Sequence, residues 1–138
     1  MQPGGPSRNV NPEELAPARG FSHATVAGDT VWVGGQVGSD ATGKIIEPGD
    51  IVAQYGRAIH NVAVALRAAG FEPQDTVKLT YYVTDIKAYR ENRTALGAAY
   101  RKFFRRARIP RLSNPLYPLK SAPIAAFRGW RSTCNRIC

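Results

Sequence analysis

The sequence predicts a fold in which a small mixed β-sheet is covered by two helices. Three observations lead to this prediction. Residues 20–36 contain two β-branched runs on either side of a turn signal, residues 51–70 repeat apolar side chains at helical spacing, and residues 75–85 alternate apolar with polar side chains. A second helical pattern follows, so the order is strand, strand, helix, strand, helix. The helix between the second and third strands is a crossover connection, which usually joins parallel neighbours.

The first two strands are predicted to form a hairpin. Residues 23–26 and 30–33 flank Gly28-Asp29, a pair that readily supplies the positive φ of a two-residue turn. The second strand ends in Gly34-Gly35-Gln36. Paired glycines at a strand end indicate a bulge, or a place where another backbone or a ligand approaches closely. A hairpin with a loosely paired end explains the same residues without a ligand, and both interpretations stay open at this point.

The first helix is predicted to begin after Asp50, whose carboxylate can cap its free amides, and to close at Gly70. The pattern is typical of an amphipathic helix packed on a sheet. The residues predicted to face the sheet are Ile51, Tyr55, Ala58, Ile59, Val62, Leu66 and Ala69. Those predicted to lie on the opposite, polar face are Gln54, Arg57, His60, Asn61 and Arg67.

The third strand is predicted to have one apolar and one polar face, with Tyr81 and Tyr82 pointing to opposite sides. Asp85 caps the second helix. The predicted buried side of that helix consists of Tyr89, Leu96, Tyr100, Phe103 and Phe104. The resulting three-stranded sheet keeps an open edge and a polar face rich in Thr and Tyr. Another strand or another subunit must cover that face.

Composition divides the chain into three segments. Residues 1–19 are predicted to be a flexible arm, residues 20–104 the folded domain, and residues 105–138 a basic tail rich in Pro and Arg. Four prolines in the tail remove backbone donors, so residues 124–127 are the only weak strand candidate and the last strands are predicted to be degraded or absent. Two interpretations of the tail stay open, a disordered basic segment or a reading-frame artefact that replaced the true ending.

The net charge of +9 belongs to the tail. Residues 1–100 hold nine Lys and Arg against ten Asp and Glu, whereas residues 101–138 hold ten Lys and Arg and no acid. A folded basic face is therefore missing, and a nucleic-acid partner is not expected. Cys134 and Cys138 fit no zinc pattern and are predicted to be free thiols. Without a long apolar run or a signal peptide, the prediction is a cytoplasmic protein with no membrane partner and no metal.

Four motifs resemble the RidA (YjgF) family of small enamine/imine deaminases, and together they cover about residues 20–104. They are GFSHA at 20–24, VWVGGQ at 31–36, Gln54 with Ala58 and Asn61 leading to Gly70, and VKLTYYVTD at 77–85. The resemblance implies a chorismate-mutase-like α+β fold and a homotrimer whose sheets form a central barrel, with sites in the clefts between subunits. It also implies a hydrolase without cofactors that converts reactive 2-imino acids to 2-keto acids and ammonia.

The resemblance further implies which residues act. An arginine clamps the substrate carboxylate in two parallel hydrogen bonds; it corresponds to Arg111, one residue out of register with the family pattern. A family glutamate that orients water has no counterpart, since no glutamate follows Glu91. The residues implied to line the cleft are Phe21, Gly34, Gly35, Gln36, Tyr89 and Arg93.

Structural roles compete with these functional ones. Arg111 is also one of ten cations in an acid-free tail, Arg93 is also an ordinary exposed helix residue, and a structural hydrogen bond is the simpler role for His23. Two further functions therefore stay open beside the deaminase. One is a noncatalytic RidA-fold trimer that binds a small metabolite in the same clefts. The other is an RNA-binding or ribonuclease-like protein, which the basic tail would suit.

Overall fold

The computed structural model describes residues 5–105 and, beyond them, the backbone of two short strands. In this part of the chain a four-stranded antiparallel sheet packs with helices, and a separate pair of strands runs parallel. The predicted α+β class is confirmed. In chain order the elements are β1 (Arg8–Val10), β2 (Ala24–Ala27), β3 (Thr30–Val33), α1 (Ile51–Ala68), a 3-10 turn (Pro73–Asp75), β4 (Tyr81–Val83), α2 (Ile86–Glu91), α3 (Arg93–Phe104), β5 (Leu116–Pro118) and β6 (Asn135–Ile137).

The predicted hairpin is confirmed and forms the centre of the sheet. Ala27 pairs with Thr30 across the two-residue turn, in which Gly28 has a φ of 61°. A positive φ at the first turn position fits a type II′ turn, whose twist suits a hairpin. The register places Ala24, Val31 and Val33 on the buried face, each at most 1% exposed. This face packs against α1 and forms the middle of the core.

The opposite face of the sheet carries mostly polar side chains and is only partly buried in the described part of the chain. Thr25 pairs with Trp32 on this face, and the Thr25 hydroxyl donates to Asn9 Oδ1 at 2.9 Å. Asn9 is exposed, whereas Thr25, Thr30 and Trp32 are half-buried. Because α1 packs on the other side, these four residues lie on a sheet surface without a covering helix among the described elements.

The strand pairing differs from the single mixed sheet that the pattern predicted. β4 pairs in parallel with β5, while β1, β2, β3 and β6 form the antiparallel sheet. The expected alternation from Val77 onward is also wrong, because Thr76 and Leu79 are buried and Val77 is 46% exposed. Buried residues three apart do not fit the two-residue period of a strand, so regular strand geometry begins only at Tyr81.

Helix α1 has the predicted caps but buries more of its surface than predicted. Asp50 Oδ1 accepts from Val52 N and Ala53 N, both at 2.9 Å, and Gly70 follows the helix with a φ of 89°. Asn61 was assigned to the polar face, yet it is 4% exposed. The reason is that the loop after Gln36 lies against this side of the helix, where Asn61 Nδ2 donates to Val37 O and Ser39 O.

The predicted second helix is divided in two at Asn92. The Asn92 side chain donates to Ala88 O at 2.8 Å, and its backbone has φ −101° and ψ 12°. A short amide side chain that bonds to its own preceding turn competes with helix continuation. The Asp85 cap is confirmed by a 2.9 Å bond from Ala88 N. Arg93, which begins α3, is exposed.

The N-terminal segment is not wholly a loose arm. β1 pairs with β2, and Val10 and Leu15 join the core at 8% and 4% exposure. Arg8 also donates to Ala69 O at 3.3 Å. The prediction missed this strand because three residues between Gly- and Pro-rich sequence give no alternation to detect. The proposed domain boundaries after residues 19 and 104 stay predictions.

Two short strands occur where the sequence predicted degraded or absent ones. β5 and β6 each have three residues, and they pair with β4 and β3. The strand candidate at 124–127 and both cysteines, Cys134 and Cys138, lie outside the described residues. Within the described chain no helix is long and apolar enough to cross a membrane, and no group of three or more His, Cys, Asp or Glu side chains could hold a metal ion.

A pair of half-buried tyrosines joins α1 to β4. The Tyr55 hydroxyl donates to the Tyr81 hydroxyl at 3.1 Å, and the ring centroids are 5.5 Å apart. Burial raises the pKa of both phenols far above the ordinary value, since a phenolate would lose its hydration there. Both tyrosines are therefore held neutral in the folded protein.

Replacement of Asn61 by Leu should destabilise the protein. Asn61 Nδ2 donates to Val37 O and to Ser39 O, both at 3.0 Å, and the variant leaves these carbonyls without their donor. At about 1 kcal/mol for each lost bond, we expect a decrease of about 2 kcal/mol in the free energy of unfolding by urea. The control is Arg67→Ala, which removes an exposed ion pair to Glu72 and should change stability by less than about 0.5 kcal/mol. Equal stability of Asn61→Leu and wild type would contradict this role.

The tyrosine pair should make stability fall at high pH. Above pH 10 the unfolded chain releases the phenolic protons while the folded protein keeps them. The free energy of the unfolded state therefore falls relative to that of the folded state. For each further pH unit, the free energy of unfolding of wild type should fall by up to about 1.4 kcal/mol per tyrosine more than that of the double variant Tyr55→Phe/Tyr81→Phe. Urea unfolding between pH 8 and 11 measures the difference, in which the shared lysine titrations cancel. Parallel curves for the two proteins would show that these phenols are not held neutral.

Candidate functional site

Strand β3 is followed by two glycines, Gly34 and Gly35, and the first is crowded by neighbouring backbone whereas the second is open. Gly34 N donates to His23 O at 2.8 Å, and a Cβ on Gly34 would lie 2.8 Å from Ser22 O. Glycine is therefore required there by the neighbouring strand. Gly35 is exposed, and a Cβ at that position would meet no atom within 4 Å. The open space beside Gly35 is where another molecule can approach the backbone.

His23 lies at the centre of this region and is 4% exposed. Its ring Nε2 is 2.6 Å from Ala16 O, and its Nδ1 is 3.2 Å from Gln36 Nε2. Its backbone N also donates to Asn11 Oδ1 at 2.9 Å. The structural role predicted for His23 is confirmed, because both ring nitrogens bind protein groups that join the N-terminal segment to the hairpin.

Gln36 is held by its amide nitrogen. Besides the contact with His23, Gln36 Nε2 donates to Gly34 O at 3.1 Å. The side chain is half-buried and folds back over the glycine pair. The backbone of Gly34 and the amide of Gln36 therefore form one rigid unit next to the open position at Gly35.

Phe21 completes this group. Its ring packs edge-on against His23 with centroids 5.1 Å apart, while the residue stays 52% exposed. An exposed aromatic side chain beside open backbone offers an apolar wall to a small ligand. Of the six residues implied to line the cleft, the structure thus brings Phe21, Gly34, Gly35 and Gln36 together.

The other two residues belong to a different network. Burial raises the pKa of the Tyr89 phenol, and the Arg93 guanidinium opposes that shift. Tyr89 also lies close enough to Tyr55 and Tyr81 to influence their pKa values. Within one protomer, Tyr89 therefore lies near the half-buried tyrosine pair and Arg93 lies near Tyr89, whereas the first four residues lie around His23. Arg111 lies outside the described residues, and its role as a carboxylate clamp stays a prediction.

Asn61 also belongs to this region, although its position on the polar face of the predicted helix does not indicate burial. Its two bonds to Val37 O and Ser39 O attach the loop after Gln36 to α1. Gly38 allows the close approach, since a Cβ there would lie 2.8 Å from the backbone of Gln54. In the sequence, the burial of Asn61 could have been predicted from a glycine-rich loop that precedes the helix, because such a loop can lie close to an amide side chain on that helix.

An open depression of about 370 Å³ lies over the N-terminal segment. It is lined by Asn11, Leu15, Ala16, Ala41 and their neighbours, and by none of the residues implied to bind substrate. It touches the site only through Asn11 and Ala16, which bind His23 on their other side. The chemistry of the region around Gly35 consists of backbone groups, one fixed amide and an aromatic ring, which can bind and orient a small polar molecule.

Sequence comparison identifies relatives for most of the chain. The profile of the family described as Endoribonuclease L-PSP matches residues 11–113. A RutC family protein of Haemophilus influenzae is 32% identical over 111 residues, which are 78% of this chain and 77% of that protein. The 2-iminobutanoate/2-iminopropanoate deaminase of Capra hircus is 29% identical over 84 residues. That match covers 61% of this chain and 58% of the goat protein, so the chain spans less than two thirds of that relative's length.

Structural comparison agrees with these matches at the level of fold. The chain superimposes on the YjgF gene product of Escherichia coli with a TM-score of 0.68 and 21% identity, over 94% of this chain and 93% of that protein. The matched elements include the hairpin and α1, which carry the motifs noted in the sequence. The chain belongs to the RidA (YjgF) family.

Proposed function

We propose that this protein hydrolyses reactive 2-imino acids to 2-keto acids and ammonia, in a cleft that includes Gly34, Gly35 and Gln36. The observation that carries the proposal is the open backbone at Gly35, fixed beside the Gln36 amide on a family fold whose relatives include enzymes named as 2-imino acid deaminases. The protein is proposed to act in the cytoplasm.

The proposed reaction asks little of the protein. Water adds to the electrophilic carbon of the C=N group and one of its protons passes to the nitrogen. The second proton passes to the nitrogen as the C–N bond breaks, which releases ammonia and leaves the keto group. The site needs to hold the substrate, exclude bulk water and orient one water molecule. Phe21 supplies an apolar wall and Gln36 a fixed polar group. Arg111 is proposed to bind the substrate carboxylate.

The proposed active assembly is a homotrimer. Two observations support it. The sheet face with Asn9, Thr25 and Thr30 has no covering helix among the described elements, and a sheet face needs another element or another chain to pack against it. In addition, Tyr89 and Arg93 belong to a separate network from the residues around His23. We propose that a cleft between two copies of the chain brings both groups of residues together.

A noncatalytic role is the second candidate. The sequence contains no Asp or Glu after Glu91, so the water-orienting glutamate implied by the family pattern is missing. A protein with this fold and without that carboxylate would bind a small metabolite in the same cleft and release it unchanged. The activity measurement described next separates the two candidates.

The proposed activity predicts faster loss of an imino acid that is generated in solution. An amino-acid oxidase supplies 2-iminobutanoate, and semicarbazide traps what remains of it. Addition of the protein should accelerate keto-acid and ammonia release and lower the trapped fraction. Gly35→Val should fold with an unchanged thermal midpoint and lose at least about tenfold in kcat/KM, because its side chain fills the open space. Gly34→Ala is the contrasting variant and should instead lower the midpoint, because its Cβ meets Ser22 O.

Absence of any acceleration by a folded wild-type protein would refute the deaminase proposal and favour the metabolite-binding alternative. Full activity of Gly35→Val would place the cleft elsewhere.

The proposed assembly predicts a solution mass three times that of one chain. Light scattering coupled to size-exclusion chromatography measures it directly. A substitution on this sheet face, Thr25→Asp, should shift the mass toward that of a single chain, because a carboxylate there would be desolvated in the interface. The matched control is Thr42→Asp in an exposed loop, which should leave the mass unchanged. A wild-type protein that runs as a single chain at all concentrations would contradict the trimer.

A further inference from the structure

The hydrogen bonds of His23 determine its tautomer. Ala16 O can only accept a hydrogen bond, so His23 Nε2 at 2.6 Å must carry a hydrogen and donate it. In a neutral imidazole the other nitrogen then has a lone pair and accepts. His23 Nδ1 therefore presents an acceptor to the group that faces it, which is the side-chain amide of Gln36 at 3.2 Å.

That acceptor in turn determines the orientation of the Gln36 amide. Gln36 Nε2 has two hydrogens, and the groups within reach, His23 Nδ1 and Gly34 O, both accept. Rotation of the amide by 180° would place Gln36 Oε1 against two acceptors and lose both bonds. The oxygen Oε1 is thus held on the side of the amide away from His23 Nδ1 and Gly34 O.

We propose that His23 is a positioning residue that holds Gln36 Oε1 as a hydrogen-bond acceptor for the nitrogen of the substrate. The cleft would thereby distinguish a 2-imino acid from the 2-keto acid that it becomes. This inference rests on the proposed function, because it assigns the reacting nitrogen to the cleft at Gly35. It adds a reason for preferring substrate over product.

The chemical difference between substrate and product supports the assignment. The imino nitrogen of the substrate, protonated or neutral, carries hydrogen and can donate to Oε1. The keto oxygen of the product has no hydrogen, so it would face Oε1 as a second acceptor. A site built to bind a donor discriminates against an analogue that lacks it, because its own polar group is then left unpaired. A fixed amide can exert this discrimination, whereas a freely rotating one would turn its NH₂ toward the product.

The test compares two stable probes of the same length in binding experiments with the full chain. 2-Aminobutanoate carries hydrogens on nitrogen and 2-oxobutanoate carries a keto oxygen, while both have the carboxylate. Isothermal titration calorimetry should give at least about tenfold tighter binding of the amino acid to wild type, which corresponds to about 1.4 kcal/mol. Gln36→Met, of similar volume and without an acceptor, should lose this preference.

Variants at His23 separate positioning from packing. In His23→Gln the new amide can reach Ala16 O, but the acceptor at Nδ1 is lost and the Gln36 amide is free to rotate. The ratio of the affinities for the two probes should therefore fall toward one. In His23→Asn the side-chain oxygen lies near the former Nδ1 position and can accept from Gln36 Nε2, so the preference should be rescued. Thermal midpoints of all variants monitor folding.

Retention of the preference in folded Gln36→Met would overturn the inference, as would wild type that binds both probes equally or binds neither. Parallel loss of affinity for both probes in Gln36→Met would also overturn it, since that result indicates a structural role. If the His23 variants do not fold, Gln36→Met alone decides. If wild type prefers the amino acid but does not accelerate imino-acid hydrolysis, the deaminase proposal is refuted and the positioning of Gln36 Oε1 is supported. If it accelerates hydrolysis but binds both probes equally, the deaminase proposal is supported and the positioning of Oε1 is refuted.

Discussion

A single buried imidazole holds together the region on which the proposed function depends. His23 binds Ala16 O on one side and the Gln36 amide on the other, and its backbone binds Asn11 and Gly34. Because each bond joins a different stretch of chain, the N-terminal segment, the hairpin and the strand end are positioned together. The buried imidazole has both ring nitrogens and its backbone N–H and C=O bound, so it holds the groups around it in fixed positions, which a small polar site needs.

The second support of the site comes from the helix rather than the sheet. Asn61 fixes the loop after Gln36 to α1 with two bonds, and Gly38 lets that loop lie directly on the helix backbone. The backbone on both sides of Gly35 is thus anchored, at Gly34 by the neighbouring strand and at Gly38 by α1. Gly35 between them is exposed and has open space beside its Cα, so an accessible stretch of backbone is held between two anchored positions.

The elements with strong local signals could be predicted from the sequence, and those with weak signals could not. Asp50, Gly70 and Asp85 mark helix ends through backbone chemistry that needs no tertiary partner. β1 and the burial of Asn61 depend on distant contacts, and neither leaves a period in the sequence. For the site, the glycine pair was predictable, but the network around His23 was not, because Ala16 contributes only its backbone carbonyl.

The division of the implied cleft residues between two networks bears on how such a site could work. The group around His23 offers hydrogen-bond acceptors and an aromatic ring, whereas the group at Tyr89 and Arg93 offers a neutral phenol and a cation. A small anion with a polar nitrogen requires both kinds of partner, since its carboxylate needs a cation and its N–H group needs an acceptor. The group around His23 contains no cation, so it cannot bind the carboxylate of such a molecule by itself. If the two networks face each other only across copies of the chain, binding and assembly become one equilibrium, and the ligand itself should favour the assembled state.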